Sequence, residues 1–103
     1  MRLERLLDML NGTKEDPFIL FAIAKEYENK GEDNISLDYY SKLIANHPNY
    51  VGTYYHLGKL YERTDNLKEA INTYNNGMLV AKNNKDQHSY NELAAAKFNL
   101  TDE

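Results

Sequence analysis

The chain has 103 residues, enough for one compact domain and too few for two. Twelve Lys and Arg stand against 16 Asp and Glu, a net charge of −4 with the two signs mixed along the chain; no basic run exists, which argues against a nucleic-acid partner held by its phosphates. The absence of Cys excludes disulfides, thiolate metal sites and thiol chemistry and fits a reducing, cytoplasmic setting, and no run of about 18 apolar residues is present to span a membrane.

In residues 2–11, Leu3, Leu6, Leu7 and Leu10 follow the i, i+3, i+4, i+7 spacing of one apolar helical face. Glu4, Arg5 and Asp8 interrupt it, which is wrong for a secretory segment. Asn11-Gly12 ends this helix, and Asp16-Pro17 supplies an N-cap and a first-turn proline for the next, which runs to about Lys30 and stops at Gly31. A third helix is predicted from Asp33 to about Asn46, where His47-Pro48 breaks it. Asn49 is the expected cap of a helix over about 50–64, and Asn66 with Glu69 resembles a capping box opening a helix over about 67–82. Asn83-Asn84-Lys85 reads as a turn, with Asp86 capping a last helix to about Leu100. Six helices with short connections and no strand-like alternation predict an all-α chain.

Residues 17–50 and 51–84 repeat with a period of 34. Leu20 pairs with Tyr54, Ile23 with Leu57, Ala24 with Gly58, Tyr27 with Tyr61, Ser36 with Ala70, Tyr40 with Tyr74 and Ile44 with Met78. A fixed period of this length signals stacked units that bury their apolar faces against their neighbours. Tyr54-x-x-Leu57-Gly58-x-x-Tyr61 followed by Ala70-x-x-x-Tyr74 resembles the tetratricopeptide repeat pattern. Leu20-x-x-Ile23-Ala24-x-x-Tyr27, Ser36-x-x-x-Tyr40 and Pro48 match it more loosely; together the copies cover 68 of the 103 residues. The second copy has Lys82 in place of the terminal Pro, Leu43 and Gly77 differ at a usually small position, and Asp65 stands where the first copy has Gly31.

The resemblance implies a right-handed α-solenoid of two helix-turn-helix units, each a helix A followed by a helix B, within one domain over 1–103. Residues 2–11 look like a lone B-type helix, because stepping back 34 from Tyr40, Leu43 and Ile44 lands on Leu6, Met9 and Leu10. Residues 86–100 form a C-terminal capping helix that fits the A-type pattern, through Tyr90, Leu93 and Ala94, after a two-residue shift. Ala24 and Gly58 are expected at the close crossing of A and B. There Gly58→Leu should overpack, whereas Gly58→Ala is expected to be near neutral, helix propensity offsetting mild crowding.

The family uses its concave face, lined mainly by A helices, to bind peptides. The resemblance places Phe18, Phe21, Lys25, Glu28 and Asn29 there from the first repeat, and Gly52, Tyr55, Lys59, Glu62 and Arg63 from the second. Phe18, Phe21, Lys25, Tyr55, Lys59 and Arg63 are the candidate binding residues: Phe21 with Tyr55 forms an aromatic row, and Lys25 with Lys59 a cationic row that favours acidic partners or a chain end. The bland alternative is that Phe18 or Phe21 packs under the N-terminal helix and the lysines are simply solvated. Repeats that clamp the carboxylate tail of chaperones carry Lys then Asn where this chain has Phe21 and Lys25, so that partner class is disfavoured.

No catalytic constellation is evident. His47, His56 and His88 fall in different units with no i, i+4 partner, no carboxylate stands in catalytic spacing to a His or Ser, and no Gly-rich phosphate loop exists, so neither an enzyme nor a cofactor or metal is expected. The triplets at Asn11, Asn34 and Asn99 read as chance rather than glycan sites in a chain without a secretion signal. Phe98 lies on the flank of the last helix if Tyr90, Leu93, Ala94 and Leu100 face inward, where it could extend the stack into a second copy; a rotated helix would bury Phe98 and expose Tyr90 instead. The functional expectation is a non-catalytic module binding another protein or peptide, with self-association as a homodimer through the end caps or the groove as the alternative.

Overall fold

The computed structural model describes residues 2–12 and 15–101; Met1, Thr13, Lys14, Asp102 and Glu103 lie outside them, and with them part of the Asn11 triplet and of the expected 1–103 domain. The described residues form six α-helices and no strand: α1 (Arg2–Gly12), α2 (Pro17–Asn29), α3 (Asp33–Asn46), α4 (Gly52–Arg63), α5 (Leu67–Asn83) and α6 (Gln87–Thr101). Two compact units result, Met1–Tyr50 and Val51–Glu103, and the division falls on the predicted junction between the two 34-residue copies.

In the N-terminal unit, α2 packs against α3 and α1 against α2. Asp16 starts α2 from an extended backbone: its Oδ1 accepts the Phe18 N–H at 2.8 Å, and Pro17 follows at a position whose missing N–H costs nothing. Leu20, Ile23, Ala24, Tyr40 and Leu43 are fully buried between α2 and α3. Burying each large apolar side chain contributes about 1.5–3 kcal/mol. The close crossing is pinned where the buried Ser36 Oγ donates to the Ala24 carbonyl at 2.8 Å, so a hydroxyl forced into the core keeps its hydrogen bond. No residue of α1 is buried; its four leucines are half-covered, and Arg2 Nε reaches Glu26 at 3.0 Å.

In the C-terminal unit, α4 packs on α5, α5 on α6, and α4 also on α6. Two glycines make this possible. A Cβ on Gly58 would fall inside the van der Waals envelope of the Tyr74 ring, and one on Gly77 would lie 2.5 Å from Tyr54 Cβ and 3.0 Å from Leu93 Cδ1. Gly77 therefore sits where α5 meets α4 on one side and α6 on the other. Leu57, Leu60, Ala70, Tyr74, Ala81 and Leu93 complete this core. Asp86 caps α6 as expected, accepting the Ser89 N–H at 3.0 Å and the Ser89 hydroxyl at 2.7 Å.

Three helices end in the same way. After α2, α4 and α5 one residue enters the left-handed region: Gly31 (φ 78°), Asp65 (φ 63°) and Lys85 (φ 58°). In each case the following N–H closes back five residues, Glu32 to Tyr27, Asn66 to Tyr61 and Asp86 to Ala81, at 2.8–2.9 Å. Asp65 thus adopts the geometry of Gly31 despite its side chain.

Two expected caps are corrected. Asn49 does not cap α4, which begins at Gly52 behind a Val51 already in helical geometry (φ −65°, ψ −30°). The chain leaves Pro48 through a turn closed by the Tyr50 N–H to the His47 carbonyl at 3.0 Å, which delays the helix. Asn66 forms no capping box with Glu69. Its amide turns back to donate to the Thr64 hydroxyl at 3.1 Å and the Thr64 carbonyl at 3.4 Å, so the side chain braces the preceding left-handed turn.

Candidate functional site

On α2, helical spacing and the packing of Leu20, Ile23 and Ala24 against α3 leave Phe18, Phe21 and Lys25 toward the outer side. Phe18 is 64% exposed and so is not packed under α1. Phe21 is half-buried, its ring 6.2 Å from that of Tyr40 and 5.9 Å from that of Tyr50. Those two contacts hold the ring in place, the condition for an aromatic anchor of low ordering cost. Lys25 is half-buried, with its ammonium 3.7 Å from Glu28 Oε1.

On α4, Tyr55 and Lys59 meet directly: the Lys59 ammonium stands 5.5 Å from the centre of the Tyr55 ring, an arrangement that contributes about 0.5–1 kcal/mol at an exposed site. Lys59 also reaches Glu62 Oε2 at 3.6 Å. Arg63 is exposed in the last turn of α4, where a cation complements the helix dipole.

These contacts compose a motif that inspection of single residues missed. Tyr40, fully buried, donates its hydroxyl to Glu28 Oε1 at 2.9 Å, and Tyr74, fully buried, donates its own to Glu62 Oε2. The same two carboxylates pair with Lys25 and Lys59. A Lys–Glu–Tyr triad therefore occurs twice, 34 residues apart, linking the outer face of helix A to the core tyrosine of helix B. The sequence analysis assigns these hydroxyls no partner; the signal present was the shared 34-residue offset of Glu28 and Glu62. Burial and the Glu62 carboxylate together hold the Tyr74 phenol well above its ordinary pKa, and burial alone raises Tyr54. Chemically, each triad supplies a cation whose charge is already met by its own carboxylate, and in the second triad that cation stands beside the Tyr55 ring.

A second cluster lies in the N-terminal unit. The Glu15 carboxylate accepts from Asn46 Nδ2 at 3.0 Å, lies 3.1 Å from His47 Nε2 and pairs with Lys42 Nζ at 3.2 Å. The Asn46 hydrogen bond above all, then Lys42 and His47, lowers its pKa. No local pattern predicts a contact 31 and 32 residues apart. Among the described residues no group of three or more His, Cys, Asp or Glu could hold a metal ion, and no helix is long and apolar enough to cross a membrane.

An all-α chain built on a 34-residue helix pair, with small residues at the A–B crossing, defines the helical-repeat solenoid class. A tetratricopeptide repeat family model matches residues 39–72. The solution structure of a tetratricopeptide repeat domain protein from Salinibacter ruber is 42% identical, covers 86% of this chain and 90% of that one, and superimposes with a TM-score of 0.83. A crystal structure of a tetratricopeptide repeat domain protein from the same organism is 43% identical over 84% of this chain and 96% of that one, with a TM-score of 0.79. The chain belongs to the tetratricopeptide repeat family. A Bordetella parapertussis protein shares the fold at 22% identity, covering 95% and 85% of the two chains with a TM-score of 0.82. Mouse N-alpha-acetyltransferase 16, a NatA auxiliary subunit, is 33% identical over 64 residues, 58% of this chain but only 7% of the mouse protein's length.

Proposed function

We propose that the chain is a non-catalytic binding module whose A helices, α2 and α4, each offer an outer face to a peptide segment of another protein. The observation that carries this reading is the Tyr55–Lys59 pair, where the cation stands 5.5 Å from the ring centre, together with the same aromatic-to-lysine spacing of four residues at Phe21 and Lys25. The fold alone is used as an interaction scaffold in its family, and the mouse relative is itself an auxiliary subunit by name. The rings supply contact area at low ordering cost, while Lys25 and Lys59 favour acidic side chains or a chain end. Glu28 and Glu62 temper that preference, since a ligand carboxylate must share each lysine with its resident partner. A cytoplasmic location belongs to the same reading, on the cysteine-free composition.

Panning a random peptide-display library on the immobilised chain tests the proposal. Enriched peptides should lose at least about fivefold in affinity to Tyr55→Ala, the loss of more than about 1 kcal/mol that marks an anchor. Lys59→Glu should weaken acidic peptides, and less so in high salt. Peptides that bind both variants as well as the parent chain, or a library that yields none, would overturn the reading. A second reading, association with another copy, is favoured by the 52% exposure of Phe98 on α6.

A further inference from the structure

The C-terminal unit carries a second concave surface, on α5 and α6. A cavity of about 370 Å³ opens beside the turn that joins them, lined in part by Lys82, Lys85, Asp86 and Tyr90. A second, of about 310 Å³, adjoins it at Lys82 and Tyr90 and runs along α5 past Met78 and Leu79 to Asn75. Clefts of this size take the side chains of a short ligand. Leu79 is 62% exposed and Met78 and Tyr90 are half-buried, so the floor is apolar and reached by solvent.

The rim is cationic. Lys82 and Lys85 are both exposed, and among the described residues neither forms an ion pair, in contrast to Lys25 and Lys59 on the A helices. The end of α5 has no need of them: the carbonyls of Val80, Ala81 and Lys82 already accept the N–H groups of Asn84, Asp86 and Lys85 at 2.8–3.1 Å. The Asp86 carboxylate in the same lining is turned to Ser89, whose N–H and hydroxyl it accepts. Lys85 stands in the left-handed region (φ 58°), where glycine is favoured, so the turn itself gives no reason for a lysine. The rim therefore holds an excess of positive charge on a chain whose net charge is −4.

We propose that this cleft binds an acidic peptide segment, with an apolar side chain seated on Met78, Leu79 and Tyr90 and a neighbouring Asp or Glu carboxylate between Lys82 and Lys85. The charge names the occupant, since an apolar groove alone accepts any apolar surface. From Asn75 to Lys82 the helix rises about 10 Å, the span of about three extended residues, so the contact is short and is strongest at low salt. The site lies on other helices than the α2 and α4 faces and does not rest on the function proposed for them.

Panning a random peptide-display library on the parent chain, and sorting the enriched peptides by their affinity for variants of the full chain, tests it. One class should pair Asp or Glu with an apolar residue and keep its affinity for Tyr55→Ala. That class should lose at least about fivefold to the double substitution Lys82→Gln, Lys85→Gly, and again to Leu79→Gln. All three positions are exposed, so melting temperatures should not fall in these variants. Enriched peptides that all depend on Tyr55 overturn this site and leave the A-helix reading standing. Peptides that all depend on Lys82 and Lys85 support this site and overturn the A-helix reading, and a library that yields none overturns both. Neutral or basic peptides in the Leu79-dependent class overturn the acidic assignment. A concentration-dependent mass of the parent chain in sedimentation, abolished by Leu79→Gln, would make a second copy the occupant and overturn the peptide assignment.

Discussion

Gly58 shows how much one methyl group decides. Helix propensity alone favours Ala over Gly by about 1 kcal/mol, which is why near-neutrality is the expectation from sequence. The added methyl would instead penetrate the ring of Tyr74, which is fully buried and tethered by its hydroxyl to Glu62 and therefore cannot swing aside. Overpacking costs about 1–3 kcal/mol, so Gly58→Ala should lower the melting temperature despite its better propensity, and Gly58→Leu should lower it further. An unchanged or raised melting temperature for Gly58→Ala would show that the ring yields. The charged residues give a second prediction at this scale. Hydrogen bonds and cations lower the Glu15 pKa below its ordinary 4.5, and the Ser89 donors lower that of Asp86 below 3.8. A depressed folded-state pKa adds stability above the unfolded value and loses it as pH falls through the folded one. Stability should therefore decline on acidification below about 4.5, and Glu15→Gln should make that decline shallower in thermal melts taken across this range.

At the scale of elements, local chemistry and chain ends behave differently. The starts of α2 and α6 were legible because Asp16 and Asp86 act within three residues of themselves, and their bonds to Phe18 and Ser89 are local. The start of α5 at Leu67 behind Asn66 was legible too, although the Asn66 side chain turns to Thr64 instead of closing a capping box; that of α4 was not, because the turn after Pro48 delays the helix past Asn49 to Gly52. Gly31 announces its left-handed turn, while Asp65 and Lys85 adopt one against their own preference because the helix carbonyls need the closing N–H groups. A non-Gly residue there carries a steric cost of about 1–2 kcal/mol, part of which Gly recovers after its greater unfolded-state entropy is counted. Lys85→Gly should accordingly raise the melting temperature, and a decrease would mean that the Lys85 side chain contributes to the turn. The triads joining A to B were present in the sequence as a 34-residue echo of Lys, Glu and Tyr. They went unread because the hydroxyl–carboxylate bond spans 12 residues and no single-helix pattern displays it.

For the molecule as a whole, the period and the six helices among the described residues could be read in the sequence because a repeat states its core twice. What the faces are for could not be read so directly. Phe21 reads as core or anchor from sequence and is half-buried against Tyr40 and Tyr50, and the lysine row looked more cationic than it is because Glu28 pairs with Lys25 and Glu62 with Lys59. Phe98 stood open between two helix rotations, and its 52% exposure, with Leu93 buried and Tyr90 half-buried, selects the one that leaves Phe98 on the flank. The central claim is that the A helices carry the binding face. Amide chemical-shift mapping of the isotopically labelled chain, titrated with a peptide enriched by display, tests it most directly. The account predicts perturbations concentrated on α2 and α4, around Phe21, Lys25, Tyr55 and Lys59. Perturbations confined to α3 and α5, with α2 and α4 silent, would contradict it.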